Sequence, residues 1–248
     1  MLAYNSDPAL KDALLAQIRW HRQADLLVRG SYGTITDDQG HDIPWRGCAI
    51  GCSLRSLDIV QGRTPEITNN DHSRFPNELG IPIELAHLAD RFFENLPTDV
   101  WVWWPERFAA AIAPGADLAL VWPRFALWLL VDADHGVWRL ARTDRAMVSI
   151  AAVAGLFTRR IAGDVPSVQE WRDARAAAYS DASATYAAAA DASASYAAAD
   201  AAAHAAADAS ADASAAYAAA YASAAYDAAR NGHCVRMADQ LEALLQSA

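Results

Sequence analysis

Residues 185–230 read TYAAAADASASYAAADAAAHAAADASADASAAYAAAYASAAYDAAR, with no Leu, Ile, Val, Phe, Trp, Gly or Pro. Such a segment cannot build a core of its own. Ala buries little area, and burial contributes only ~25 cal/mol per Å2. The segment is nonetheless an excellent helix former, and nothing from Ser167 to Asn231 interrupts it. One straight helix of ~60 residues would span about 90 Å at ~1.5 Å per residue. A core must therefore be sought in residues 1–165, which hold nearly all the large apolar side chains. The chain reads as a globular domain over 1–165, a long Ala-rich helix over 166–231 and a short C-terminal helix over 232–248. Asn231-Gly232 is the stop signal between the last two.

The Ala-rich segment has a face. Tyr179, Tyr186 and Tyr221 share one heptad position, and Tyr196 and Tyr217 fall three positions later; Tyr226 lies off the stripe. Tyr adds contact area that Ala lacks. Residues 174–230 are expected to form a homo-oligomer. The Asp residues of the segment are too sparse to imitate a phosphate ladder of one charge per ~1.7 Å.

Residues 1–165 carry a mainly helical pattern, so the fold class is all-α. Asp7 and Pro8 open a helix expected to run to residue 29, with Gly30 as its stop. Residues 31–46 break the helical period and read as a small hairpin or irregular insertion. Helical spacing resumes in RGCAIGCSLRSLDIV, and residues 61–80 read as loop. After Pro82, the residues Leu85, Leu88, Phe92 and Leu96 mark an amphipathic helix. Three further helices are expected, over 104–113, 117–132 and 137–162. Six Trp in residues 101–138 suggest one compact core.

The formal charge of −10 disfavours nonspecific binding to nucleic acid or an acidic membrane. Among the basic residues only Lys11 is not Arg, and Arg forks bind phosphate or carboxylate well. Cys48, Cys52 and Cys234 are an odd, sparse set, which points to a reducing compartment. The first residues show no leader pattern, and the apolar stretch ADLALVWPRFALWLLVDAD is too short to span a bilayer. A cytoplasmic location is expected.

The chemistry-bearing stretch is DIPWRGCAIGCSLRSLDI. Gly47, Cys48, Gly51 and Cys52 sit at a helix start behind Arg46. Small residues allow close approach to the backbone, and free helix-start amides attract anions. Three chemistries suit the stretch besides plain tight packing. A metal could join Cys48 and Cys52 to His21, His41 or His72, although no second close ligand pair is seen. A nucleophilic Cys could use a His partner. An anion pocket could combine Arg46 and Arg55 with the Gly47–Cys52 amides, His21, Tyr32, His72 and Arg74, with Trp45 or Tyr32 stacking a base. The anion pocket is the favoured site, with no catalytic residue, metal or cofactor expected.

The stretch WHRQADLLVRGSYG…WRGCAIGCSLRSL, followed by LGIPIELAHLADRFFENLP, WPERFAAAIAPGADLALVWPRFALWLL and an Ala-rich tail, resembles a family of uncharacterised phage and prophage proteins. The resemblance covers residues 18 to about 162, and RGCAIGC is its most specific motif. It implies a viral accessory gene, of a kind that often counters host defence. The functional expectation is a non-enzymatic sponge for a small anionic ligand of the nucleotide immune-signal type. The alternatives are a Cys- or metal-dependent hydrolase at the RGCAIGC loop, or an interaction module acting through the Ala-rich helix.

Overall fold

The structure, a computed structural model, describes residues 2–141, 143–184 and 227–248. Tyr186, Tyr196, Tyr217, Tyr221 and Tyr226 lie outside the described residues, and with them all of the expected assembly stripe but Tyr179. The described chain is mainly helical with one two-stranded hairpin. It divides into two compact units, Met1–Val121 with Ala228–Ala248, and Trp122–Asp227. The Trp-rich segment is thus shared between two cores rather than building one. Among the described residues, no helix is long and apolar enough to cross a membrane.

In the first unit, α1 (Pro8–Gln23) starts as expected: Asp7 accepts from the Ala9 amide and Pro8 occupies the first turn. It stops six residues before the expected end. Asp25 turns to a positive φ of 55°, and Leu26 and Leu27 become buried. The Gly47 amide donates to the Leu26 carbonyl at 3.0 Å, and Leu27 bridges to Gly47. Burying those two leucines beside the RGC segment outweighs one more helical turn. Strands β1 (Thr34–Thr36) and β2 (Asp42–Arg46) form the antiparallel hairpin, with Thr34 opposite Arg46 and Thr36 opposite Asp42. The Asp37 carboxylate closes its turn by accepting from the Gln39 and His41 amides.

Helix α2 (Ala49–Val60) buries Ile50, Cys52, Leu54 and Leu57. The segment that follows, read from sequence as loop, contains a π-helical turn at Phe75–Leu79. Phe75 and Leu79 drive it by entering the core. The segment is pinned as well: Asp58, a buried carboxylate on α2, accepts from Arg63 and Arg74, and both arginines also reach Glu78. Helix α3 (Ile83–Asn95) buries Leu85 and Phe92 of the expected stripe; Leu88 is half-buried, and Leu96 is buried just past the helix end. It is held by Trp104, which opens α4 (Trp104–Ala111), donates to the Ala89 carbonyl at 2.9 Å and is fully buried.

In the second unit, α5 (Val121–Val131), α6 (Asp144–Ile161) and α7 (Val168–Ala184) replace the expected pattern only in part. The helix expected over 137–162 is two pieces, a short 3-10 turn at Val137–Leu140 and α6. The break lies before Thr143, whose hydroxyl caps α6 by accepting from the Ala146 amide. A reciprocal capping box opens α7: the Ser167 hydroxyl accepts from the Glu170 amide, and the Glu170 carboxylate accepts from the Ser167 amide. Phe157, Trp171 and Trp122 meet in this unit's core.

The C-terminal helix α8 (Asp227–Gln246) runs through Asn231-Gly232, so that pair is not the expected stop. Gly costs a helix only about 1 kcal/mol. Here packing decides: Ala238, Leu241 and Leu245 are buried, and Arg107 of α4 holds Asp239 and Glu242. Residues 228–248 thereby belong to the first unit.

Gly51 permits one of the closest contacts in that unit. A Cβ there would lie 1.9 Å from the Tyr32 carbonyl oxygen. Gly155, inside α6, has nothing within 4 Å of such a Cβ. Gly51→Ala is expected to lower stability to urea by about 3 kcal/mol. Gly155→Ala is expected to raise it by up to about 1 kcal/mol. Equal effects would contradict the close-approach account.

Candidate functional site

The RGC segment is mostly engaged by its own chain. The Cys48 amide donates to the Ser31 carbonyl at 2.6 Å, and the Gly47 carbonyl accepts from the Val28 amide. With the Gly47 amide on Leu26, the first two amides of the small-residue run are occupied. A Cβ on Gly47 would sit 2.7 Å from the Trp45 ring. The small residues therefore admit a neighbouring loop, as tight packing would. Cys52 is buried and its thiol donates to the Gly47 carbonyl.

The predicted arginines have different surroundings. Arg74 is held by Asp58 and Glu78. Arg55 lies over the Trp45 ring, 4.6 Å from its centroid. Arg46 reaches Asp25 at 3.6 Å, and its Nε is buried without a hydrogen-bond partner. Trp45 is a core side chain whose Nε1 donates to the Ile67 carbonyl at 2.7 Å. His21 is fully buried, 5.6 Å from the Trp45 ring, with Nδ1 against the Ser56 hydroxyl at 3.3 Å. Burial, and then Arg55, push the His21 imidazole down to about 4.

Tyr32, Cys48 and His72 converge elsewhere, on two carboxylates of α3 that sequence reasoning missed. The Tyr32 hydroxyl donates to Asp90 Oδ2 at 3.0 Å. The Cys48 thiol faces Asp90 Oδ1 at 3.6 Å. His72 Nε2 lies 3.4 Å from Asp90 Oδ2, at ion-pair distance but without hydrogen-bond geometry. Ligand atoms of Cys48, Asp90 and Glu94 all lie within 4.8 Å of one another. His87 stacks on His72 with ring centroids 4.3 Å apart. His87, Asp90 and Glu94 follow helical spacing in HLADRFFE, one face of α3. That spacing is the signal in the sequence, on the polar side of the helix's apolar stripe.

The electrostatics of this cluster are those of crowded anions with little water. Burial, then the Asp90 carboxylate, push the Cys48 thiol up to about 12, against the opposing Gly51 and Ile50 amides. Glu94 is raised by burial and by Asp90, while the Gly30 amide and Arg29 pull it back. Tyr32 is raised by burial and then by Asp90. The neighbouring carboxylates favour a cation and disfavour an anion here, while burial disfavours an unpaired charge of either sign. Among the described residues, Cys48, Asp90 and Glu94 form the group able to hold a metal, with His72 beside Asp90.

Comparisons of the chain with protein-family models, with curated proteins and with solved structures find no match in any of the three.

His21 gives a pH prediction. An unfolded histidine titrates near 6.5, whereas folded His21 refuses the proton until about 4. Stability is therefore full above pH 6.5 and falls as pH drops through that window, by up to about 3 kcal/mol. Urea unfolding of wild type and His21→Leu between pH 7 and pH 4 checks this. The variant is expected to lose less stability on acidification; parallel curves would contradict the assignment.

Proposed function

We propose that this chain binds and holds a small anionic ligand without turning it over, through Arg46 and Arg55. The observation that carries this reading is the different engagement of the arginines. Arg19 and Arg22 share Glu106, Arg63 and Arg74 share Asp58 and Glu78, and Arg107 holds Asp239 and Glu242. Arg55 instead rests on an aromatic ring, and Arg46 meets only a distal oxygen of the exposed Asp25. Both flank Trp45, and the planar guanidinium suits bidentate phosphate recognition. The protonated thiols support binding over turnover, since a thiol held up to about 12 is no nucleophile at neutral pH.

The proposed ligand class, a nucleotide immune signal, and action in the host cytoplasm rest on the resemblance to phage proteins. Homo-oligomerisation through residues 174–230 belongs to the same proposal and rests on the tyrosine register. A metal-dependent hydrolase is the second reading, favoured by the meeting of Cys48, Asp90 and Glu94.

Calorimetric titration of the full chain against cyclic dinucleotides and cyclic forms of ADP-ribose tests the proposal. One ligand class is expected to bind and to be recovered unaltered. Arg55→Ala is expected to weaken it about 10- to 100-fold, the value of a charge-assisted hydrogen bond of ~1.5–3 kcal/mol. No heat with any member, and no ligand released on denaturing the purified chain, would sink it. Altered ligand would select the hydrolase. Light scattering on the same sample reads the assembly, and a monomer mass contradicts that part.

A further inference from the structure

We infer that Cys48, His72, Asp90 and Glu94 form a binding site for a zinc-class divalent cation, with Tyr32 as the positioning residue for Asp90. The inference stands apart from the arginine site.

Two donor spacings, one to each Asp90 oxygen, match those of a coordination shell. Zinc bonds of ~2.0–2.3 Å in a tetrahedron set the ligand atoms about 3.4–3.7 Å apart. Cys48 Sγ to Asp90 Oδ1 is 3.6 Å, and His72 Nε2 to Asp90 Oδ2 is 3.4 Å. Glu94 lies within 4.8 Å of Cys48 and Asp90, whereas His72 stands outside that group and touches Asp90 alone of the three, so closure on an ion requires both Glu94 and His72 to move in.

His72 carries the independent sign. Its side chain is nine-tenths buried, with 10% of its surface exposed. Nδ1 meets the Asn70 carbonyl at 2.8 Å, which makes Nδ1 the protonated nitrogen. Nε2 is buried, without a hydrogen bond, and faces a carboxylate oxygen. A buried polar atom without a partner is costly, and a cation between Nε2 and the carboxylate would satisfy both.

Every donor also has an outer partner of the sort that orients metal ligands. Asn70 orients His72. Tyr32 donates to Asp90. The Gly30 amide donates to both oxygens of Glu94, at 3.1 Å each. The Ile50 and Gly51 amides lie at the Cys48 sulfur.

One thiol, one imidazole and two carboxylates suit a borderline ion such as zinc. Magnesium and calcium favour all-oxygen shells. On binding, the Cys48 S–H bond breaks, the thiolate pair forms the metal–sulfur bond, and the proton leaves to solvent.

The test uses the full chain purified without added metal. Its zinc content is measured by elemental mass spectrometry, and any zinc-free fraction is titrated with cobalt(II) alone. Zinc at one ion per chain, or cobalt binding with a near-ultraviolet thiolate-to-cobalt band and four-coordinate visible bands, is expected. Zinc should displace the cobalt; magnesium and calcium should not. Cys48→Ser should abolish the near-ultraviolet band, and Cys52→Ser should leave it. Tyr32→Phe should weaken cobalt affinity about 10-fold or more while the bands remain. A chain that carries no zinc and gives no such band with cobalt overturns the inference. So does a band that survives Cys48→Ser. The wild-type titration decides the matter even if a variant fails to fold.

Discussion

The contact on which the first unit depends is the Tyr32 carbonyl lying on the bare face of Gly51. No side chain fits between them. The loop carrying Tyr32 is thereby seated on the start of α2, and its Ser31 carbonyl takes the Cys48 amide. Two consequences follow from that one approach. Cys48 is fixed as the residue before α2 with its sulfur towards α3, and the Tyr32 hydroxyl reaches Asp90.

The remaining parts of the cluster are held by separate means. Asp58 and Glu78 grip Arg63 and Arg74, which tethers the segment that delivers His72. Trp104 grips α3 through the Ala89 carbonyl and packs edge-on against Phe92. Breaking the buried Asp58 pairing leaves charges uncompensated, a loss of ~3–5 kcal/mol in comparable pairs. Four chain segments thus meet at Asp90, each anchored outside the cluster. Such anchoring keeps the Asp90 and Glu94 carboxylates beside Cys48 when like charges would drive them apart.

Much of this architecture was legible in the sequence. The helical class, the hairpin insertion, the Asp7-Pro8 start and the stripe of α3 all follow from local pattern. Where the sequence misled, tertiary packing had overruled local preference. Leu26 and Leu27 end α1 early by joining the RGC segment, and Leu241 and Leu245 carry α8 across a glycine. The small residues of RGCAIGC were correctly read as permitting close approach, but the partner is a loop of the same chain. The site was half legible. Tyr32, Cys48 and His72 were among the candidates, yet their common partners were hidden on the polar face of a helix read only for its apolar stripe. Proximity of residues 32, 48, 72 and 90 depends on four separate chain segments, and no local spacing reports it.

The central claim is that these segments converge to hold one metal ion. An anomalous difference map at the zinc edge, from crystals of the full chain grown with zinc, tests it most directly. The account predicts a single strong peak bonded to Cys48 Sγ, His72 Nε2, Asp90 and Glu94, with the Tyr32 hydroxyl still on Asp90. A map without that peak, showing His72 Nε2 hydrogen-bonded to water or protein instead, would contradict it.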